Sequence, residues 1–470
     1  MSQSNLKNKR ICVLVPDGVG VKNYLLSDMI ELIKEKGDEV VVWHPFGSRL
    51  PIKKQLDVQE ATLPVFKEPF LVRTWREALC YARLSLNTVK TNNPTILSNW
   101  MPNTAVLSRK VLYGLAEFLG KQWKSETRIQ REETRLNRWV KKSATFQLFR
   151  KSLEQLEVDF LLCTHQRVPL ALPVMLAASS LGVRTATVIF SWDNIPKARL
   201  PFRSDLYFVW SQYMKDELKF YYEDIKEEQI KITGTPQFDH YQNTSLIESR
   251  EVFATQYGLN PDNHWVLFSG DDKVTSPFDP SYLKNIGEAL ENEIDVELLF
   301  RQVPSESTER YISILNTSKI KHIPPLWEQS DAWTGFMPTR EDIALLVNLA
   351  YHCEVVINVG STMALDFATF NHTGLYINYD QPEAKKWSVE TIYKFQHFRT
   401  MDGLEPVGWI NSKVEILPKL RSILDGTEEV GADKGRWLKR IVGEQEITSA
   451  QKIVAAIDDF AHVTNRIGAI

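Results

Sequence analysis

Only four cysteines occur in 470 residues, and they stand far apart, which excludes a disulfide framework and a cysteine-built zinc site. Cys12, Cys163 and Cys353 lie inside apolar runs, the usual place of buried thiols in a reducing compartment; Cys80 is the fourth. Long hydrophobic runs are missing as well. The most apolar stretch, "VPLALPVMLAASSLGV" from Val168, holds two prolines and falls short of a membrane span. The polar start "MSQSNLKNKR" runs straight into a strand-like segment, without the apolar core of a secretory signal. These absences predict a cytoplasmic protein. A net charge of −3 gives no global reason to bind nucleic acid. There is no D-x-D pair, so no divalent metal is expected, and no cofactor either.

What is abundant is apolar and aromatic. The chain is 43% hydrophobic, with 13 Trp and 22 Phe, enough for two large cores and for stacking planar ligands. "RICVLVP" reads as a buried strand, "YLLSDMIELIKEKG" as a helix closing at Gly37, and "EVVVWHP" as the next strand: a β-α-β unit. Alternation resumes at "DFLLCTH" and runs to "IKITGT"; a second series runs from "HWVLFSG" to "GLYINYD". In that second series helices are expected near Thr308–Ser318 and Arg340–Tyr351, with Thr339 and Asp342 forming a capping box for the latter. The fold class is therefore α/β, with two Rossmann-like doubly wound domains that face each other. The expected domains are 1–240, with a helical insertion at about 74–156, and 241–445; the helix in 446–470 returns to the first.

Several strand ends carry residues suited to chemistry. "PDGVGVKN" puts Asp17, Gly18 and Gly20 after the first strand. Asn23 stands where a dinucleotide fingerprint needs its third glycine, and the second strand ends on Trp43-His44 without a ribose-binding acid, so NAD is not expected. The readings left are a tight glycine turn or a loop that lets an acceptor approach the backbone. "CTHQR" and "SWDN" offer His165 and Asp193 as general base or its orienter, or else an interior histidine and a capping acid. "VVINVGSTMALDFATF" joins a strand to a helix through Gly360, Ser361 and Thr362. Unpaired amides at a helix start suit a diphosphate, with Gly360 allowing close approach; a plain N-cap is the simpler alternative. Asp366 would meet sugar or ribose hydroxyls. Arg301 ends the strand in "ELLFRQVP", where it can clamp phosphate or pair with Glu306. Asp271, in "SGDDK", caps a turn or binds substrate. Trp327 or Trp333 would border a base or fill core.

Residues 108–151 carry 12 Lys/Arg against 4 Asp/Glu, a local +8 that leaves −11 for the rest. Apolar residues interleave with these cations. The segment reads as a helical arm with a solvated basic face, able to give peripheral contact with anionic headgroups on the inner face of the cytoplasmic membrane.

"TGTPQFDHY" (233–241) and "NVGSTMALDFATFNHTGLYINYD" together resemble the domain-leaving and donor-binding segments of GT-B glycosyltransferases of the bacterial surface-polysaccharide type. A similar S-[ST]-x-x-x-D run occurs in CDP-glycerol glycerophosphotransferases. The resemblance implies a nucleotide-sugar donor held by the second domain at Gly360, Ser361, Thr362 and Asp366. It also implies a glycan or lipid-linked acceptor on the first domain. Arg301 is followed by Gln302-Val303-Pro304 and not by Pro-His-Pro, a departure that weakens the glycerophosphotransferase reading. Retaining GT-B enzymes often carry two glutamates eight residues apart; counting back from Asp366 gives Asn358, so inversion is favoured. The alternatives are a glycerophosphotransferase or nucleotide-sugar epimerase on the same fold, or a non-catalytic nucleotide-sugar-binding partner of a membrane assembly complex.

Overall fold

The computed structural model describes residues 8–47, 56, 58–328 and 335–467, the last seven by backbone alone. Trp333 lies outside the described residues. The chain divides into two compact units, 1–236 with 443–470, and 237–442.

The first unit holds a seven-stranded sheet. Its strands are β1 (Arg10–Leu14), β2 (Glu39–His44), β3 (Gln59–Thr62), β4 (Phe160–Cys163), β5 (Arg184–Val188), β6 (Leu206–Val209) and β7 (Ile230–Ile232). The order is β3-β2-β1-β4-β5-β6-β7, with every pairing parallel. β1, β4 and β6 are apolar almost throughout and buried on both faces, as a helix-covered parallel sheet requires. β3 was not legible as a strand. Its sequence, QEAT, is a polar edge, which needs only one neighbour.

The long helical region resolves into the helices Phe70–Thr91, Leu107–Gly120, Glu126–Lys141 and Ala144–Leu156. Trp75 ties them together: its ring lies 5.0 Å from Trp123 and 4.8 Å from Trp139. Gly120 allows the closest approach, since a Cβ there would stand 2.7 Å from the Ala78 carbonyl oxygen. The helix Ser449–Ile467 packs on this unit: Asp458 pairs with Lys9 and Lys36, each at 2.9 Å.

The second unit holds six parallel strands: β8 (His264–Ser269), β9 (Val296–Arg301), β10 (Lys321–His322), β11 (Val355–Asn358), β12 (Thr373–Ile377) and β13 (Gly408–Ile410). They run in the order β10-β9-β8-β11-β12-β13. Renumbered from its own first strand, each sheet reads 3-2-1-4-5-6, and the first adds a seventh strand after the sixth. The order reverses between β1 and β4 in one unit and between β8 and β11 in the other, and ligands of such sheets bind beyond the strand ends at that reversal. The helix expected over 308–318 is instead a short 3₁₀ turn, Thr308–Tyr311, and one α-turn, Ile312–Leu315.

Candidate active site

In the first unit the reversal point is occupied by a histidine–carboxylate pair. After β1 the chain turns at Asp17, whose Oδ1 accepts the Gly20 N–H at 2.9 Å and caps the turn Gly18–Gly20. Gly20 sits at φ −61°, so no left-handed conformation requires it. A Cβ there would stand 2.9 Å from Thr164 Oγ1 and 3.1 Å from Val15 Cγ1, so it is close packing that requires glycine. Neither the tight-turn reading nor the open-loop reading of the glycines accounts for this. Thr164 in turn donates to the Leu14 carbonyl at 2.9 Å, pinning the end of β4 to the end of β1. The next residue is His165, and its Nδ1 meets Asp17 Oδ2 at 2.5 Å.

Both partners are buried, Asp17 to 1% exposure and His165 to 5%. The His165 ring stacks on Phe190, centroids 3.8 Å apart and planes 13° apart. A carboxylate that accepts the Nδ1 proton fixes the tautomer with the lone pair on Nε2 and stabilises the imidazolium once Nε2 takes a proton. The sequence offered Asp17 and His165 as separate candidates; the fold joins them. Asp193 instead forms an ion pair with Lys197 and accepts from Asn194 Nδ2 at 2.7 Å. Sequence reasoning passed over Glu217, on the helix Gln212–Tyr221. Burial, with the Asp193 charge second, pushes its carboxyl up to about 8, which keeps it protonated at neutral pH. An acid inside "KDELKF" gives no sign of this in the sequence.

In the second unit, Arg301 ends β9 almost fully buried at 6% exposure. Its Nη2 donates to Asp342 Oδ1 at 2.7 Å, while its Nη1 is buried without a partner. The expected pairing with Glu306 does not form; Glu306 holds Arg310 at 3.0 Å and accepts the Lys273 amide. Thr339 does cap the helix Arg340–His352, accepting the Asp342 N–H at 3.0 Å. The Asp342 carboxylate turns to Arg301, to the Leu326 amide and to Trp327 Nε1, each at 2.7 Å. Arg301 and the half-buried Trp327 thus share one carboxylate.

The Gly-Ser-Thr joint departs from its expected form. Gly360 is left-handed at φ +68°, and its Cβ direction is closed by Phe398 at 2.8 Å and Tyr393 at 3.3 Å. Backbone conformation and aromatic packing therefore require this glycine, not an approaching phosphate. The Ser361 amide is satisfied by Asn358 Oδ1 at 2.8 Å. Thr362 is the N-cap of Met363–Ala368 without a side-chain cap bond, and that helix is only six residues long. Asp366 is 3% exposed and accepts the Tyr241 hydroxyl at 2.6 Å, which ties the two family-like segments together and occupies the carboxylate expected to meet donor hydroxyls.

Asp271, after β8, donates its amide to Asp279 Oδ2 at 2.6 Å and accepts the Asp272 amide at 2.8 Å. Burial pushes Asp271 up to about 7 and Asp279 up to about 8. Turn capping falls to Asp272, which accepts the amides of Val274 and Thr275.

No family model and no curated protein matches this chain. Solved structures do match along its whole length. A UDP-N-acetylglucosamine 2-epimerase structure from Listeria monocytogenes aligns over 98% of each chain at 12% identity, TM-score 0.57. The S. aureus MnaA–UDP structure aligns over 97% of each at 12% identity, TM-score 0.55. UDP-GlcNAc 2-epimerase from Methanocaldococcus jannaschii aligns over 96% of this chain and 99% of its own at 11% identity, TM-score 0.53. At these identities the likeness is one of fold. Among the described residues no group of His, Cys, Asp and Glu is arranged to hold a metal, and no helix is long and apolar enough to cross a membrane. This chain has the GT-B architecture of two Rossmann-like domains that these UDP-sugar enzymes also have.

Proposed function

We propose that the protein is an inverting glycosyltransferase that moves a sugar from a nucleotide diphosphate to a glycan or lipid-linked acceptor in surface-polysaccharide synthesis. The observation that carries this reading is the buried Asp17–His165 pair at the sheet-reversal point of the first unit. His165 Nε2 takes the proton of the acceptor hydroxyl as that oxygen attacks the anomeric carbon. The electron pair of the breaking glycosyl bond leaves with the diphosphate, and Asp17 stabilises the imidazolium. On the second unit, Arg301 supplies the fixed cation for the diphosphate, with Ser361 and Thr362 lending hydroxyls and Trp327 bordering the base. No step in this scheme calls for a metal or cofactor. UDP is the nucleotide proposed, because the S. aureus structure is a UDP complex.

A second reading is a nucleotide-sugar 2-epimerase, favoured by the names of two of the whole-length structural relatives. An epimerase needs no acceptor, so the two readings part on acceptor dependence. The test is a panel of UDP-sugars with and without lipid-linked acceptors, following UDP release. The transferase reading expects release that requires acceptor and falls by about 10²–10⁴ in His165→Ala. Acceptor-independent conversion of the sugar, or full activity in His165→Ala, would remove it.

The helix Leu107–Gly120 is proposed as the membrane-facing surface. Leu107, Val111 and Phe118 are 77%, 57% and 63% exposed along one side, and Lys110 and Lys121 are exposed on its flank.

A further inference from the structure

The helical insertion does more than cover the sheet of the first unit. Arg76 and Arg83 stand seven residues apart on the helix Phe70–Thr91, hence on one face. That face lines a pocket together with Gln166 and Arg167, the two residues after His165, and with Arg199. The pocket opens to solvent, and the space inside it open to the centre of a water-sized sphere is about 20 Å³. Of the charged side chains lining it, four are arginines and one, Glu133, is acidic.

Most of this charge is balanced. Arg76 holds Glu68 at 2.7 and 2.9 Å and Glu77 at 2.8 Å. Arg83 holds Glu133 at 2.8 Å and Glu126 at 3.1 Å. Arg199 reaches Glu77 only at 3.3 and 3.4 Å. Two donors are left over. Arg83 is 3% exposed, and its Nη2 is buried with no partner. Arg167 Nε is also buried with no partner, and Arg167 forms no ion pair among the described residues. Asp193, the acid whose field reaches Arg167, is already paired with Lys197. Ala198 and Arg199 are held left-handed at φ +61° and +65°, a cost that non-glycine residues bear only where surrounding structure enforces it.

A buried guanidinium N–H without an acceptor is unfavourable, and a phosphate group presents several acceptor oxygens in the geometry that forked guanidinium donors match. We propose that this pocket binds a phosphate or diphosphate group, held by Arg83, Arg167 and Arg199. His165, Gln166 and Arg167 are consecutive, so one loop carries both the base and the anion site. The phosphate is therefore assigned to the acceptor, a phosphorylated glycan or a prenyl-linked diphosphate. That assignment rests on the transferase reading; the anion pocket itself does not.

The test is calorimetric titration of the full chain with inorganic pyrophosphate and with farnesyl diphosphate, comparing wild type with Arg167→Gln and Arg167→Lys. Loss of a charge-assisted hydrogen bond predicts at least about tenfold weaker binding of both ligands in Arg167→Gln, partly restored in Arg167→Lys. Thermal melting of Arg167→Gln without ligand should match or exceed wild type, because a buried N–H without a partner is removed; a structural arginine would lower it. Affinities for both ligands within twofold of wild type in Arg167→Gln would overturn the pocket. Binding of pyrophosphate but not of farnesyl diphosphate would overturn the prenyl-linked source and leave a phosphorylated glycan. UDP titration of wild type reads the donor site separately. No UDP binding, together with a pyrophosphate loss in Arg167→Gln, would undo the donor reading and leave the pocket standing.

Discussion

Asp17→Asn isolates the chemistry of the Asp17–His165 pair from its geometry. The substitution keeps size and shape at a site that is 1% exposed. Asp17 has two fixed neighbours: the Gly20 N–H, donating to Oδ1 at 2.9 Å, and His165 Nδ1, at 2.5 Å from Oδ2. An asparagine has one oxygen and one NH₂. The Gly20 amide can only donate, so the oxygen must face it and the NH₂ must face Nδ1. Nδ1 then has to accept, and the ring proton moves to Nε2. The imidazole can no longer take a proton from an acceptor hydroxyl at Nε2, and no carboxylate remains to stabilise imidazolium. Loss of a positioned general base costs about 10²–10⁴ in rate, or about 3–5 kcal/mol of barrier. Fold stability should change little, because each hydrogen bond keeps a partner. The assay is UDP release at saturating donor and acceptor, with circular dichroism melting as the control. A folded Asp17→Asn protein with kcat within threefold of wild type would refute the argument.

Arg301→Ala should destabilise the second unit by about 3–5 kcal/mol, because Asp342 loses its buried cation, and should also abolish UDP binding; wild-type UDP affinity in urea-stable variant protein would contradict the donor role. Tyr241→Phe removes the 2.6 Å bond to buried Asp366 and should cost about 1.5–3 kcal/mol in urea unfolding; a change under about 0.5 kcal/mol would show that the bond carries little. Asp271 and Asp279 titrate near 7 and 8 in the fold but near 4 when unfolded, so the folded state holds protons that the unfolded chain has released. Their contribution is complete below about pH 4, falls as pH rises, and is gone above about pH 8. Asp279→Asn should therefore narrow the difference in urea midpoint between pH 5 and pH 8.5; an unchanged difference would remove that assignment. Leu107→Ser/Phe118→Ser should weaken sedimentation with phosphatidylglycerol vesicles, and equal sedimentation would dismiss the helix as a membrane surface.

The fold was legible where burial writes an unbroken apolar run. "RICVLVP", "DFLLCTH" and "HWVLFSG" became central strands because a parallel sheet covered on both faces admits little else. One edge of each sheet was not legible: QEAT and GWI have too few buried positions to show a pattern. The site was legible as residue types at strand ends and opaque as partnerships. Asp17 and His165 are 148 positions apart, and the pairing of β1 with β4 and the Gly20–Thr164 packing bring them together. Arg301 was visible, but its choice of Asp342 over nearby Glu306 depends on where the loop before Arg340 returns. Gly360 and Asp366 illustrate the opposite error. Small and acidic residues after a strand look ready for a ligand, yet Phe398 and Tyr241 occupy those places. Such packing is invisible without knowing which aromatic residues return from as far as 125 positions away.

The central claim is acceptor-dependent sugar transfer, and NMR of the products reads it directly. Purified protein is incubated with a UDP-sugar panel and a lipid-linked acceptor, and the anomeric signals are followed. The account predicts one donor giving free UDP and a new glycosidic signal of inverted anomeric configuration, only when acceptor is present. Conversion of a UDP-sugar to its epimer without acceptor, or the same product formed by His165→Ala at the wild-type rate, would contradict it.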